Sequence, residues 1–158
     1  MMMSDEGDTE GGFAPARETR VVIANQLSEI ADVTDALDIF ARTHSLPETI
    51  TWRVHLALEE LLRNVIAHAY PDSAEHEIEV TIKRDDVDLI ATIVDDGIPF
   101  NPLNANPPDL SEALDDREVG GLGIHLARSV VDTISYEWQA GKNVMIVQSK
   151  LRRNDDVR

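Results

Sequence analysis

The sequence predicts an α+β fold, a two-layer α/β sandwich in which a mixed, mostly antiparallel sheet carries its helices on one face. Three observations lead there. Apolar periodicity orders the elements as strand, helix, helix, strand, strand, loop, helix, strand, strand. Most of the strands fall into hairpins, which suits antiparallel pairing, and the longest amphipathic stretch has one apolar stripe, as a helix lying on a sheet requires.

Each element has its own signal. Residues 1–18 hold Asp5, Glu6, Asp8, Glu10, Gly7, Gly11 and Gly12 and are too polar and Gly-rich to bury anything, so they are expected to be a disordered acidic tail. The folded domain is expected over 19–151, with a short polar tail at 152–158. A β-branched run, Val21, Val22 and Ile23, marks a first strand within Thr19–Ile23 that ends before Ser28, a candidate helix N-cap. Ile30, Val33, Leu37 and Phe40 recur at helical spacing until Ser45 to Pro47, where proline suits the first turn of a new helix. That second helix carries Val54, Leu58, Leu61, Leu62, Val65 and Ala69 and stops at Tyr70 and Pro71, because proline disfavours helix in the residue before it.

Ile78, Val80 and Ile82 then alternate with Glu77, Glu79, Thr81 and Lys83, and after a turn at Asp85 and Asp86 comes the apolar run Val87 to Val94. Asp95, Asp96 and Gly97 end it, and a polar, Pro-rich stretch runs to Glu118. A loop of that length is usually functional or disordered. After Gly120, Gly121 and Gly123 a helix is expected through Asp132. Ser135 to Gln139 and Val144 to Leu151 then form a hairpin around Gly141 and Lys142.

Composition bounds the function. The chain has 158 residues, enough for one domain with an ordinary core, and 14 Lys plus Arg against 30 Asp plus Glu give a net charge of −16. Such a field repels phosphate backbones and anionic headgroups, which argues against nucleic acid or a membrane surface as partner. The absence of cysteine removes disulfides, thiolate metal sites and thiol nucleophiles. No run approaches the roughly 18 apolar residues of a membrane span, and the N-terminus is acidic where a signal peptide is basic, so a cytoplasmic protein is expected.

Three clusters could carry chemistry. Glu60 and Asn64 are four apart and share one helix face, a pattern that alone reads as a solvated face; Glu59 and Arg63 read as an ordinary ion pair. Asp95-Asp96-Gly97 alone reads as a turn, although the chain continues from it into a long loop rather than a returning strand. Gly120-Gly121-Leu122-Gly123 opens a helix, where free backbone N–H groups suit a phosphate but where glycine also serves close packing.

Taken in order, a helical Glu-x-x-x-Asn, an Asp-x-Gly, a loop and a Gly-x-Gly resemble the Bergerat ATP-binding fold of histidine kinases, gyrase-type ATPases and Hsp90-type chaperones. The segment Glu59-Glu60-Leu61-Leu62-Arg63-Asn64-Val65-Ile66-Ala67-His68-Ala69-Tyr70 is most similar to the stand-alone bacterial anti-sigma-factor serine/threonine kinases. Asp95-Asp96-Gly97-Ile98-Pro99-Phe100-Asn101-Pro102 and Gly120-Gly121-Leu122-Gly123-Ile124-His125-Leu126 add to that likeness. The resemblance implies ATP and Mg²⁺ as cofactors. It implies Asn64 as the Mg²⁺ ligand, Glu60 as the general base toward a substrate hydroxyl, Asp95 on the adenine amine, and Gly97 allowing approach of the base. Gly121 and Gly123 would line the phosphates, with 103–119 as a lid. His68, Pro99, Phe100, Gly120, Leu122, Ile124 and Asn143 complete the nucleotide site. It further implies a STAS-type anti-sigma-factor antagonist as the phosphorylated partner, a sigma factor as the bound one, and a homodimer.

The chain also departs from that family. Pro99 stands where a second glycine is usual, Asn143 replaces a small hydroxyl residue of the last hairpin, and Thr34 aligns with a basic partner-contacting residue of the first helix. His68 and His125 read as packed or surface residues rather than as catalytic or phosphoacceptor groups. One alternative keeps the ATP pocket but makes the domain a regulatory module that sequesters partners without phosphoryl transfer. A sensor histidine kinase fragment is disfavoured because no helix with an acceptor His precedes residue 19, and a pure interaction scaffold would make the motifs accidental.

Overall fold

The computed structural model describes residues 14–104 and 121–152. Strand β1 (Glu18–Ala24) leads through a 3-10 turn at Leu27–Glu29 into helices α1 (Ile30–Thr43) and α2 (Glu48–His68). The hairpin β2 (Glu77–Arg84) and β3 (Asp88–Asp95) comes next, then a 3-10 turn at Pro102–Asn104, helix α3 (Gly121–Val130) and the hairpin β4 (Thr133–Gln139) and β5 (Lys142–Lys150). The five strands form one sheet in the order β1-β2-β3-β5-β4.

Each of these pairings is antiparallel, where the sequence suggests a mixed sheet. The two helices between β1 and β2 run out and back, so the chain returns to the end where β1 finished and Ala24 pairs with Glu77. In the first hairpin the Asp85 carboxylate accepts from the Val87 and Asp88 amides at 2.7 Å each, an Asx turn. The second hairpin turns on Ala140 and Gly141, both left-handed (φ 52° and 77°), so Lys142 belongs to β5. Two successive positive φ values match the strand twist, and glycine takes the second without strain.

Alternation puts Ile78, Val80 and Ile82 of β2, Leu89, Ala91 and Ile93 of β3, and Met145 and Val147 of β5 on the face covered by helices. Leu37 of α1 and Leu58, Leu61 and Leu62 of α2 close the core from the other layer with no exposure. Each such aliphatic side chain contributes about 1.5–3 kcal/mol of burial. Ser28 caps nothing: it lies inside the 3-10 turn, and no side chain caps the start of that turn or of α1. Helix α2 ends at His68, short of the expected Tyr70, with Ala69 still bonding the Val65 carbonyl as its C-cap. At the other end the chain is in the sheet by Glu18, and the Arg17 carbonyl accepts from the Arg84 amide at 3.0 Å. Among the described residues no helix is long and apolar enough to cross a membrane.

Candidate functional site

Of the polar side chains predicted from the sequence, Glu60 and Asn64 lie along the second half of α2, with the start of α3 packed beside Glu60 and the turn after β3 packed beside Ala69. Glu60 and Asn64 do not form a solvated face, because α3 packs against α2 there. Asn64 is only 7% exposed, and a Cβ built at Gly123 would run into the Glu60 carboxylate. Glycine at 123 therefore makes room for that carboxylate at the N-terminal turn of α3. Asn64 donates through Nδ2 to the Glu60 carbonyl at 2.7 Å, so its amide oxygen is the atom left over for a ligand. Arg63 pairs at 4.0 Å with Glu60, not with Glu59 as expected: three residues apart on the helix, they lean together.

Asp95 closes β3 on its buried face, continuing Leu89, Ala91 and Ile93, and is 1% exposed. Its Oδ1 accepts from the Gly97 amide and from Asn143 Nδ2, both at 2.9 Å, whereas Oδ2 is buried and has no partner among the described residues. Burial pushes the Asp95 carboxyl above its ordinary value, the two donors oppose that shift, Asp96 adds to it and Lys142 offsets part of it. An unpaired buried oxygen on an acidic side chain is an acceptor open to a donor that the described residues do not supply.

Gly97 is required by the end of α2. A Cβ there would lie 2.5 Å from the Ala69 carbonyl oxygen, and that same carbonyl accepts from the Ile98 amide at 2.9 Å. The Asp-x-Gly segment is thus clamped to the last turn of α2. Asn143, opposite Asp95 across the β3–β5 ladder, holds the next stretch. Its Nδ2 also donates to the Ile98 carbonyl at 2.8 Å, and its Oδ1 accepts from the Phe100 amide at 2.9 Å and from the Tyr136 hydroxyl at 2.6 Å.

The remaining predicted residues divide. Phe100 is half-buried with its ring centroid 5.3 Å from that of His68, while Pro99 and Leu122 are exposed. Ile124 is a core residue at 3% exposure, because α3 turns that face to α2; only its backbone is free to meet a ligand. Gly121 begins α3, and Gly120 and most of the expected lid lie outside the described residues. Thr34 is buried at 6%, with its hydroxyl donating to the Ala31 carbonyl, so it presents nothing to a partner. His125 is exposed, in line with a surface role.

Sequence reasoning missed several contributors. Ala69 and Tyr136 act through a backbone oxygen and a hydroxyl, and Arg128 donates to the Leu103 carbonyl at 3.1 Å, fixing the 3-10 turn to α3. His76, on the α2–β2 loop, lies between the carboxylates of Asp72 (2.7 Å) and Asp96 (3.1 Å), stacks on Tyr70, and is raised above its ordinary value chiefly by the Asp72 hydrogen bond. A cavity of about 580 Å³ between α1 and α2, lined by Asp38, Arg42, Trp52 and His55 among others, shares no residue with this site. Among the described residues no three acidic, His or Cys side chains converge as a metal cage, so a cation here would rely on one amide oxygen, phosphate oxygens and water.

The model of the histidine kinase-like ATPase domain matches residues 23–148. The serine/threonine-protein kinase BtrW of Bordetella bronchiseptica is 26% identical over 132 residues, 73% of this chain and 93% of that protein. The serine-protein kinase RsbW of Halalkalibacterium halodurans is 26% identical over 66% of this chain and 64% of its own length. The anti-sigma F factor of Clostridium acetobutylicum is 24% identical over 83% and 81%. A crystal structure of the RsbU and RsbW domains of Rv1364c from Mycobacterium tuberculosis superposes with a TM-score of 0.60 at 13% identity, covering 88% of this chain and 34% of that one, a likeness of fold. The relatives it matches are named as serine/threonine kinases and an anti-sigma factor, and the chain itself belongs to the histidine kinase-like ATPase family.

Proposed function

We propose that this protein transfers the γ-phosphoryl group of ATP to a serine or threonine of a small STAS-type anti-sigma-factor antagonist, and that it binds a sigma factor in alternation with that partner. The observation that carries the nucleotide reading is the unpaired Oδ2 of Asp95, buried beside the last turn of the helix that bears Glu60 and Asn64. A 6-amino purine brings the missing N–H donor; a 6-oxo purine brings a second acceptor and is refused.

The triphosphate runs from that end toward the first turn of α3, where the backbone N–H groups of Gly121 to Gly123 face its charge. The residues fit Mg²⁺, since Asn64 would hold it through an amide oxygen, a hard ligand; when bound, the ion neutralises charge on the phosphates. Glu60 accepts the proton of the attacking hydroxyl as its oxygen bonds the γ-phosphorus and the bond to the β-phosphate oxygen breaks, releasing ADP. The net charge of −16 supports protein partners over nucleic acid, and the cytoplasm is the compartment where a sigma factor is met. A homodimer is supported by the edge position of β1, which has no second partner strand among the described residues.

The test is transfer from radiolabelled ATP to the antagonist, taken from the neighbouring genes. Label on serine or threonine is expected with the wild type, and Glu60→Gln should lower transfer by about 10²–10⁴ while ATP affinity stays within about threefold. A wild type that binds ATP and antagonist but transfers nothing makes the domain a sequestering module instead.

A further inference from the structure

Asn143 is surrounded by groups from separate parts of the chain. Asp95 ends β3, Ile98 and Phe100 belong to the segment that leaves it toward the expected lid, and Tyr136 is on β4. An asparagine amide has two N–H donors and one oxygen with two lone pairs. Here all four are used: the donors go to Asp95 Oδ1 and the Ile98 carbonyl, and the oxygen accepts from the Phe100 amide and the Tyr136 hydroxyl. The side chain is 1% exposed, so neither a donor nor a lone pair is spare for a nucleotide.

We infer that Asn143 is a positioning residue, which aims the one unpaired oxygen of Asp95 at the purine and fastens the Ile98–Phe100 entry to the same point. This deepens the nucleotide-binding reading above and rests on it. Occupying Oδ1 from two sides leaves Oδ2 as the only acceptor, so Asn143 decides which lone pairs the base meets. The pairing is specific to asparagine. Serine or threonine has a single donor and cannot reach both Asp95 and Ile98, aspartate has no donor when ionised, and glutamine is one methylene too long for a site without exposure. Asn143 therefore links recognition of the base to the position of the Ile98–Phe100 segment.

The charges around Asp95 are Asp96 on its own turn and Lys142 beside Asn143, with the hydroxyls of Tyr70 and Tyr136 also near. An aspartate placed at 143 adds a second carboxylate within hydrogen-bond distance, and such a pair shares a proton.

The experiment compares Asn143→Ala, Asn143→Asp and Asn143→Ser with the wild type and with Asp95→Ala. Residue-resolved amide exchange is measured without nucleotide, and ADP binding by calorimetry from pH 5 to 8. In Asn143→Ala the Phe100 amide loses its acceptor and should exchange at least about tenfold faster, with Ile93 in the sheet unchanged, and ADP should bind about tenfold more weakly. Asn143→Asp keeps an oxygen for Phe100, so that amide stays protected, but the acid limb of ADP binding moves up by about one pH unit or more. Asn143→Ser, a smaller perturbation, should fall between wild type and Asn143→Ala in both readouts and serves if the alanine variant does not fold. Phe100 exchange unchanged in Asn143→Ala or Asn143→Ser, or an unmoved acid limb in Asn143→Asp, overturns the inference. If instead Asp95→Ala binds ADP as tightly as wild type, the nucleotide reading fails, while the exchange data still decide whether Asn143 holds the entry segment.

Discussion

Replacing Asp95 by Asn should make the nucleotide-free protein more stable at neutral pH and weaken its grip on ATP. The substitution keeps shape and keeps an oxygen to accept from Gly97 and Asn143, both at 2.9 Å, but removes the buried charge and turns the unpaired acceptor into a donor. Burial raises the Asp95 carboxyl, so the folded protein binds that proton more tightly than the unfolded chain does. The stability contributed by this group is then fully present below the unfolded value of about 3.9 and is lost as pH rises through the higher folded value. Asparagine does not titrate, so the stability of the variant relative to wild type should grow with pH across that interval, by about 1.4 kcal/mol per pH unit, and then level off. Urea unfolding of both proteins from pH 3.5 to 7.5 gives the difference directly, since other groups titrate alike in the two. A bound purine amine would face an amide N–H₂ in the variant, and loss of a hydrogen bond to a charged acceptor costs about 1.5–3 kcal/mol, or about tenfold to 150-fold in Kd by calorimetry. A stability difference that does not depend on pH refutes the penalised carboxylate. Unchanged ATP affinity in the folded variant refutes Oδ2 as the acceptor.

Neighbouring contacts set other expectations. Gly123→Ala sets a methyl against the Glu60 carboxylate and should lower phosphoryl transfer by at least about tenfold while ADP affinity changes much less; equal losses in both would break the link between Glu60 and the transfer step. Gly97→Ala forces the β3 end away from the Ala69 backbone, and denaturation should show about 1–3 kcal/mol of lost stability, the range for overpacking. His76 should titrate by NMR above the ordinary histidine midpoint; the stability it contributes is present below that midpoint and lost as pH rises through the folded value, and Asp72→Asn should bring the midpoint down. Light scattering at high concentration should give the mass of a dimer, and a monomer mass would remove the proposal of a homodimer.

Periodicity placed most elements to within a few residues, because one face of every long segment is buried and the alternation or helical spacing of Ile78 to Ile82 and of Leu58 to Val65 records that face. Glu60, Asn64 and Asp95 were singled out by the resemblance of the three ordered motifs to a known family, not by periodicity. Neither could show that Asn143 lies opposite Asp95, since that depends on β5 running antiparallel to β3, a register set by tertiary pairing. Gly97 and Gly123 were visible as glycines, but the reasons for them, Ala69 and Glu60, belong to another helix. His76 gave no signal: Asp72 is a local partner four residues earlier, in a loop with no periodicity to reveal it, and Asp96 becomes a neighbour only after β2 and β3 have paired.

Helix α2 also acts as a ruler. Glu60 touches the start of α3 and Ala69 touches the turn after Asp95, so both ends of the site are fixed to one continuous rod. The two contacts are nine positions apart along the helix, which at about 1.5 Å per residue is roughly 13.5 Å. Backbone hydrogen bonds hold that spacing, and neither loop length nor side-chain choice alters it. On the function proposed above, a nucleotide anchored at its base would present its outer phosphate to Glu60 only if its phosphate chain spanned the interval, and selection by chain length would be set by the pitch of a helix.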